Sequence, residues 1–320
     1  MSNMNNYCIV GYGKHSSTKL IPALEKLKKK IMGIVSSQTN ALKTNYKIFK
    51  NLDDAILFSD NNTVFIIANP PHVHFSQIKK ILNAGRNIFV EKPIFISSNE
   101  ALISNKLISD KNIFVVETMM YKYNHLYKKF LDYWLENKSN IIKLECVFLL
   151  PSLPSNTFRD QSSIFCSPLY DIGCYFFSLL VDLDINCDNF ELKEISYKKN
   201  KITKMIIYIR SNKLKLQLKF GVDKKYENFV KLFLNNNIFY EFSPFFYGRE
   251  KIKTITSTKS VNSFKDVNAF ENMFQNSNEF WCSNQKKRFI NIIKINKILE
   301  KIVNKINTNK KIKSSLTVQR

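Results

Sequence analysis

The segment Tyr7-Cys8-Ile9-Val10-Gly11-Tyr12-Gly13 is a short apolar run that breaks into a glycine turn. Its first four residues are apolar and partly β-branched, which suits a strand buried on both faces of a parallel sheet. Beyond the turn, Leu20, Ile21, Leu24 and Leu27 recur at helical spacing and define one apolar face. Strand, glycine turn and helix is the context in which a G-x-G-x-x-G pattern binds a dinucleotide. The first glycine allows the tight turn. The second lets backbone approach a pyrophosphate held at the helix N-terminus. Ser16 stands in the third glycine position and is small enough to keep helix and strand close. Gly11, Tyr12, Gly13, Lys14 and His15 are therefore candidate cofactor-binding residues. An ordinary strand–turn–helix corner carries the same pattern, and His15 reads equally as a solvated surface histidine.

The next strand, Ile31-Met32-Gly33-Ile34-Val35, ends in Ser36-Ser37-Gln38. An acidic residue at this point would bind the ribose 2′-hydroxyl of NAD, and none is present. Ser36 and Ser37 tolerate a 2′-phosphate better, with Lys43 nearby, so the reading favours NADP over NAD. The plainer alternative is two serines that end a strand.

Strand and helix alternate up to about residue 120. Residues 63–68 and 87–90 read as buried strands, 75–85 and 100–108 as helices, and 112–116 as a further strand. That alternation implies a doubly wound parallel sheet with right-handed crossovers. After residue 140 longer alternating runs follow one another at 141–150, 202–210, 214–222, 229–234 and 238–242, as in an antiparallel or mixed sheet. Residues 289–306 have helical apolar spacing, and the basic tail from Asn307 reads as loosely held. The expectation is an α/β chain with an N-terminal Rossmann domain over 1–120. A C-terminal α/β domain with an open mixed or antiparallel sheet then covers 121–320, its last helix packing back on the first domain.

A chain of 320 residues with 44% hydrophobic content supports substantial cores. No basic start followed by an apolar stretch is present, and no long uncharged apolar run, so a cytoplasmic protein without membrane contact is expected. Six cysteines without C-x-x-C spacing read as reduced, buried thiols, and no metal site is expected. The net charge of +23 raises nucleic-acid binding. Yet the lysines are scattered, arginine is scarce, and A/T-rich codon usage explains the abundance of Lys, Asn, Ile, Phe and Tyr. No specific nucleic-acid partner is expected, although a basic surface attracts anionic substrates.

Two further constellations carry chemistry. Glu91-Lys92-Pro93 closes the strand at 87–90 and puts a lysine, a candidate proton donor, at the mouth of the parallel sheet. Asp171 and Tyr175 lie at i and i+4, on one face of a helix if one forms there, where a carboxylate and a phenol could hold and protonate a substrate oxygen. A capping aspartate and a buried tyrosine would look the same, and a neutral tyrosine needs a nearby lysine charge to act as a base.

In this order the segments resemble the glucose–fructose oxidoreductase/inositol dehydrogenase (Gfo/Idh/MocA) family. Asn69-Pro70-Pro71-His72-Val73-His74 is similar to its N/T-P-x-x-x-H segment, and Glu91-Lys92-Pro93 matches its E-K-P tripeptide. Residues 117–125, from Glu117 through Lys122 and Tyr123 to His125, are similar to E-A-F-M-W-R-F-x-P. Phe158-Arg159 with Asp171-Ile172-Gly173-Cys174-Tyr175 is similar to F-R followed by D-x-G-x-H/Y. Departures are Cys166-Ser167-Pro168 for the family's triple glycine, Lys122 for arginine, and Asn124-His125 for a residue followed by proline.

The resemblance implies NAD(P)-linked hydride transfer on a secondary alcohol or ketone of a sugar, cyclitol or nucleotide-activated sugar. It implies Lys92 as proton relay, Asp171 as the holder of the substrate hydroxyl, and Tyr175 as a second acid/base group. It adds Asn69, Pro70, His74, Glu91, Lys92 and Glu117 to the cofactor site. Lys122, Tyr123, His125 and Arg159 become candidate substrate contacts, Arg159 toward an anionic group. A homo-oligomer is implied as well. Reduction of a tetrapyrrole or cyclic imine on the same fold, or cofactor binding without turnover, are the alternatives.

Overall fold

The computed structural model describes residues 6–37, 44–108, 113–152, 159, 161, 163–276 and 285–318. Gln38, Lys43 and Phe158, named above, and Cys282, one of the six cysteines, lie outside them. The chain opens with β1 (Asn6–Val10), α1 (Ile21–Lys26), β2 (Lys30–Val35), β3 (Ile48–Phe49), α2 (Leu52–Phe58) and β4 (Val64–Ile67). Then come α3 (His74–Asn83), β5 (Asn87–Val90), α4 (Ser98–Ile108) and β6 (Val115–Glu117). These strands form one parallel sheet in the order β3-β2-β1-β4-β5-β6, the doubly wound dinucleotide-binding order. All four residues of β4 and of β5 are buried, because helices cover both faces.

The second part holds α5 (His125–Asn137), β7 (Ile141–Leu150), α6 (Cys174–Asp182), β8 (Phe190–Lys198), β9 (Lys201–Ser211) and β10 (Leu214–Val222). It continues with β11 (Glu227–Leu234), β12 (Phe239–Ser243), β13 (Lys251–Ser257), β14 (Val261–Asp266), α7 (Ala269–Gln275) and α8 (Gln285–Val318). Its strands form an eight-stranded sheet ordered β14-β13-β12-β11-β7-β10-β9-β8. Every pair is antiparallel except β7 with β10. Residues of α6 from Cys174 to Leu180 are buried all round, as a helix wedged between layers must be. Phe176 meets Phe220 of β10 edge to face at 5.5 Å.

Strands β8, β13 and β14 alternate too weakly in hydrophobicity to stand out in the sequence. The segment from Asn307, read as a loose tail, continues as helix to Val318. This helix joins the two layers: Phe289 and Ile292 enter a core of the first sheet and its helices, and Leu299, Ile302 and Ile306 the larger core shared by both sheets. Glu300 accepts hydrogen bonds from the backbone and hydroxyl of Ser98 at the start of α4, at 2.6 and 2.8 Å. The β8–β9 turn uses Lys199 and Asn200, both at positive φ, as a two-residue hairpin turn demands, with no glycine. Asn212 and Asn237 do the same in the following hairpins.

Candidate active site

A cleft of about 470 Å³ opens at the carboxyl ends of β4 and β5, between the two sheets. Its floor comes from the first sheet and its roof from α6, β7 and the loop before β13.

The glycine turn lies beside it. Gly11 has φ +102°, and a Cβ there would lie 2.2 Å from Asn69 Oδ1, so both backbone and packing demand glycine. A Cβ at Gly13 would meet no protein atom within 4 Å, which leaves that backbone open to a phosphate. Ser16, in the third glycine position, is fully buried and donates its hydroxyl to Gly11 O at 2.8 Å, closing helix on strand. Residues Ser16–Leu20 make a π-turn before α1, a local widening often found at functional sites. Ser36 and Ser37 follow β2, whose Val35 carbonyl accepts from Gly11 N at 3.0 Å, so they flank the same turn. Open backbone, a helix N-terminus and a hydroxyl pair together fit a dinucleotide.

The second centre joins the sheets. Lys92 follows β5, across a cis Lys92–Pro93 peptide. Its Nζ donates to Asp171 Oδ1 at 2.9 Å and to the Asp171 carbonyl. Arg159 grips the same carboxylate with Nε to Oδ2 at 2.7 Å and Nη2 to Oδ1 at 3.0 Å, a bidentate pair. Burial alone would push the Asp171 carboxyl up, but Lys92 and Arg159 hold it well below the usual range. Burial likewise disfavours the Lys92 ammonium, and Asp171 outweighs it, so the lysine stays charged. Asp171 lies in a second π-turn, Leu169–Gly173, leading into α6, which carries Tyr175. The lysine Nζ lies 4.6 Å from the Tyr175 ring centroid. Burial first raises the Tyr175 phenol, which remains neutral.

Glu91 meets His15 Nε2 at 2.8 Å. Burial raises its carboxyl, and His15, the Thr118 hydroxyl and Lys92 together bring it down to about 2. His74 was expected at the cofactor. It is fully buried, with Nδ1 3.1 Å from Pro93 O and Nε2 2.7 Å from Asn69 O, and so ties the β4 and β5 loops together from beneath. Glu117 accepts from the Ile94 amide at 3.0 Å and supports the same loop without lining the cleft.

Three expected substrate contacts lie off the cleft. Lys122 pairs with Asp182 at 2.7 Å, and the Tyr123 carbonyl accepts from Asn272 at 2.6 Å. His125 starts α5, its amide bonded to Asp266 at 2.9 Å. The short helical turn from Met120 to Tyr123 carries Lys122 toward α6 and Tyr123 toward α7, and Met120 lines the cleft instead. Arg159 lines it but commits its guanidinium to Asp171. Residues with no marker in the sequence complete the walls: Lys19, Phe148, Tyr226, Phe246, Tyr247 and Arg249. Strand order brings them together, and no local spacing reveals it.

Residues 5–117 match the family model described as "Oxidoreductase family, NAD-binding Rossmann fold". This N-terminal stretch is thus similar to the NAD-binding Rossmann domain of the Gfo/Idh/MocA oxidoreductases. An uncharacterized oxidoreductase of Schizosaccharomyces pombe is 32% identical over 77 residues, covering 24% of this chain and 21% of the relative. Oxidoreductase P35 of Formosa agariphila is 24% identical over 119 residues, 35% of this chain and 37% of the relative. The matches thus span well under half of these relatives. The fold extends further. The 3-ketoreductase KijD10 of Actinomadura kijaniata, solved with NADP and TDP-benzene, superposes with TM-score 0.77 at 14% identity over 92% of this chain and 95% of that one. A dehydrogenase from Chromobacterium violaceum does so with TM-score 0.77 at 12% identity over 98% of both.

Proposed function

We propose that this protein is an NAD(P)-dependent oxidoreductase that interconverts a secondary alcohol and a ketone on a sugar, cyclitol or nucleotide-activated sugar. The observation that carries this reading is the Lys92–Asp171–Arg159 cluster in the cleft, beside the glycine turn. Gly11, Gly13 and the start of the helix after them would hold the cofactor's diphosphate. Ser36 and Ser37, with no carboxylate at the end of β2, favour NADP. The hydride comes from or goes to the nicotinamide ring when the cofactor is bound.

The protein's own groups handle the proton. In reduction, negative charge develops on the ketone oxygen, and the charged Lys92 Nζ donates its proton there. Tyr175, neutral and with no described residue bonded to its hydroxyl, donates a second hydrogen bond to that oxygen. Asp171 does not act as a base. Both its oxygens are engaged, and its work is to aim Lys92 and keep it charged. Oxidation runs the same proton transfer in reverse, starting from Lys92 without its extra proton.

Replacing Lys92 with alanine should lower turnover by about 10²–10⁴-fold. NADPH binding, followed by fluorescence, should persist. The assay is NADPH oxidation with a panel of ketosugars and nucleotide sugars. Near-normal turnover in Lys92→Ala would remove the lysine from the mechanism.

A further inference from the structure

The cleft contains more positive charge than the reaction uses. Lys19, Lys92, Arg159 and Arg249 line it, against Glu91 and Asp171. Asp171 is held by Lys92 and Arg159, and Glu91 by His15. Lys19 and Arg249 form no ion pair among the described residues. Glu250 and Glu271, which line a neighbouring hollow with them, are paired elsewhere, with Lys265 and Lys26. The two cations come from different layers. Lys19 sits in the π-turn of the nucleotide-binding helix, its ammonium 5.8 Å from the Phe270 centroid. Arg249 belongs to the loop before β13, and its guanidinium reaches Thr18 on that same helix at 3.4 Å. Burial presses Lys19 below the usual lysine range, and Arg249 adds to this, although Glu91 opposes it. Like charges gathered in this way favour an anion between them.

The wall next to Arg249 is aromatic. Tyr247 lies two residues before it, and Tyr226, 43% exposed, packs edge to face on Phe148 at 6.4 Å. Lys251 Nζ lies 5.9 Å from the Tyr226 centroid and 5.1 Å from that of Tyr247, so aromatic surface and a further cation stand together, which suits a base next to its phosphates. We infer that Lys19 and Arg249 form a phosphate subsite for a nucleoside-diphosphate-activated substrate, whose base lies against Tyr226 and Tyr247. This rests on the oxidoreductase reading and narrows its substrate class. Phosphate chemistry is shared by the cofactor, so the test separates the two sources.

The test is calorimetric titration of the NADPH-loaded protein with UDP and with uridine, repeated on Lys19→Met and Arg249→Gln. Each substitution keeps the stem and removes the charge. UDP should bind at least about tenfold more tightly than uridine, and each substitution should weaken UDP by about tenfold. NADPH affinity should stay unchanged. UDP binding that ignores both substitutions, or no UDP binding, overturns the subsite. Loss of NADPH affinity in the variants assigns the pair to the cofactor and overturns it too. Failure of the unaltered protein to bind NADPH overturns the oxidoreductase reading itself.

Discussion

Glu91 shows how much a single side chain at this site depends on its surroundings. Its carboxyl is drawn from the usual 4.5 to about 2, so the native state binds its proton less readily than the unfolded chain does. The stability this contributes is present above about pH 4.5 and is lost as pH falls toward 2. By linkage it amounts to roughly 3 kcal/mol for a shift of this size. Glu91→Gln should therefore unfold at lower urea than the unaltered protein at pH 6, and the gap should narrow as pH drops to 3. A gap that stays constant with pH would show that Glu91 acts through packing alone. At this scale the sequence was informative where a residue is both chemical and fixed by backbone. Lys92, Asp171 and Gly11 could be read directly. Lys122 could not, because a short helical turn, invisible in composition, carries it to Asp182, and His125 could not, because it opens α5 against Asp266.

Among the elements, α8 does the most to join the two layers. Leu299 is fully buried, and the helix carries Glu300 onto the start of α4. Leu299→Ala should cost about 2–5 kcal/mol. Because the lost contacts hold the second layer against the first, the variant should also bind NADPH more weakly than its stability at the assay temperature explains. Denaturant unfolding beside NADPH titration checks both, and a cost under about 1 kcal/mol would mean that the helix is an appendage. The parallel strands were legible because burial on both faces makes continuous apolar runs. In the second sheet β8, β13 and β14 were not, since they lie at its margins and carry residues such as Lys193, Glu194 and Ser263 where alternation would be read. The reach of α8 past Asn307 was hidden for a related reason: its lysine-rich end lacks the apolar stripe that marks a packed helix.

For the whole molecule, the cleft spans both layers, so a ligand that holds the glycine turn should stabilise the chain as one unit. NADPH at a hundred times its Kd adds about 2.7 kcal/mol, which for a chain of this size raises Tm by roughly 5 °C. Calorimetric scans should show one transition moving upward. Two transitions, only one of them sensitive to NADPH, would show that the layers unfold independently despite α8. The overall architecture followed from the order of strand and helix patterns in the sequence. The cleft's outer wall did not, because Lys19, Tyr226 and Arg249 are far apart in the chain and meet only through topology.

The hairpins of the second sheet turn through Lys199, Asn200, Asn212 and Asn237, where positive φ would ordinarily call for glycine. The whole chain has only 7 glycines. Asparagine tolerates this region better than most residues, while lysine pays roughly 1–2 kcal/mol for it. The composition that sets the surface charge, rich in lysine and asparagine and poor in glycine, therefore reaches into the backbone itself. A chain this short of glycine builds its bends from the residues it has, and its fold is slightly less stable as the result.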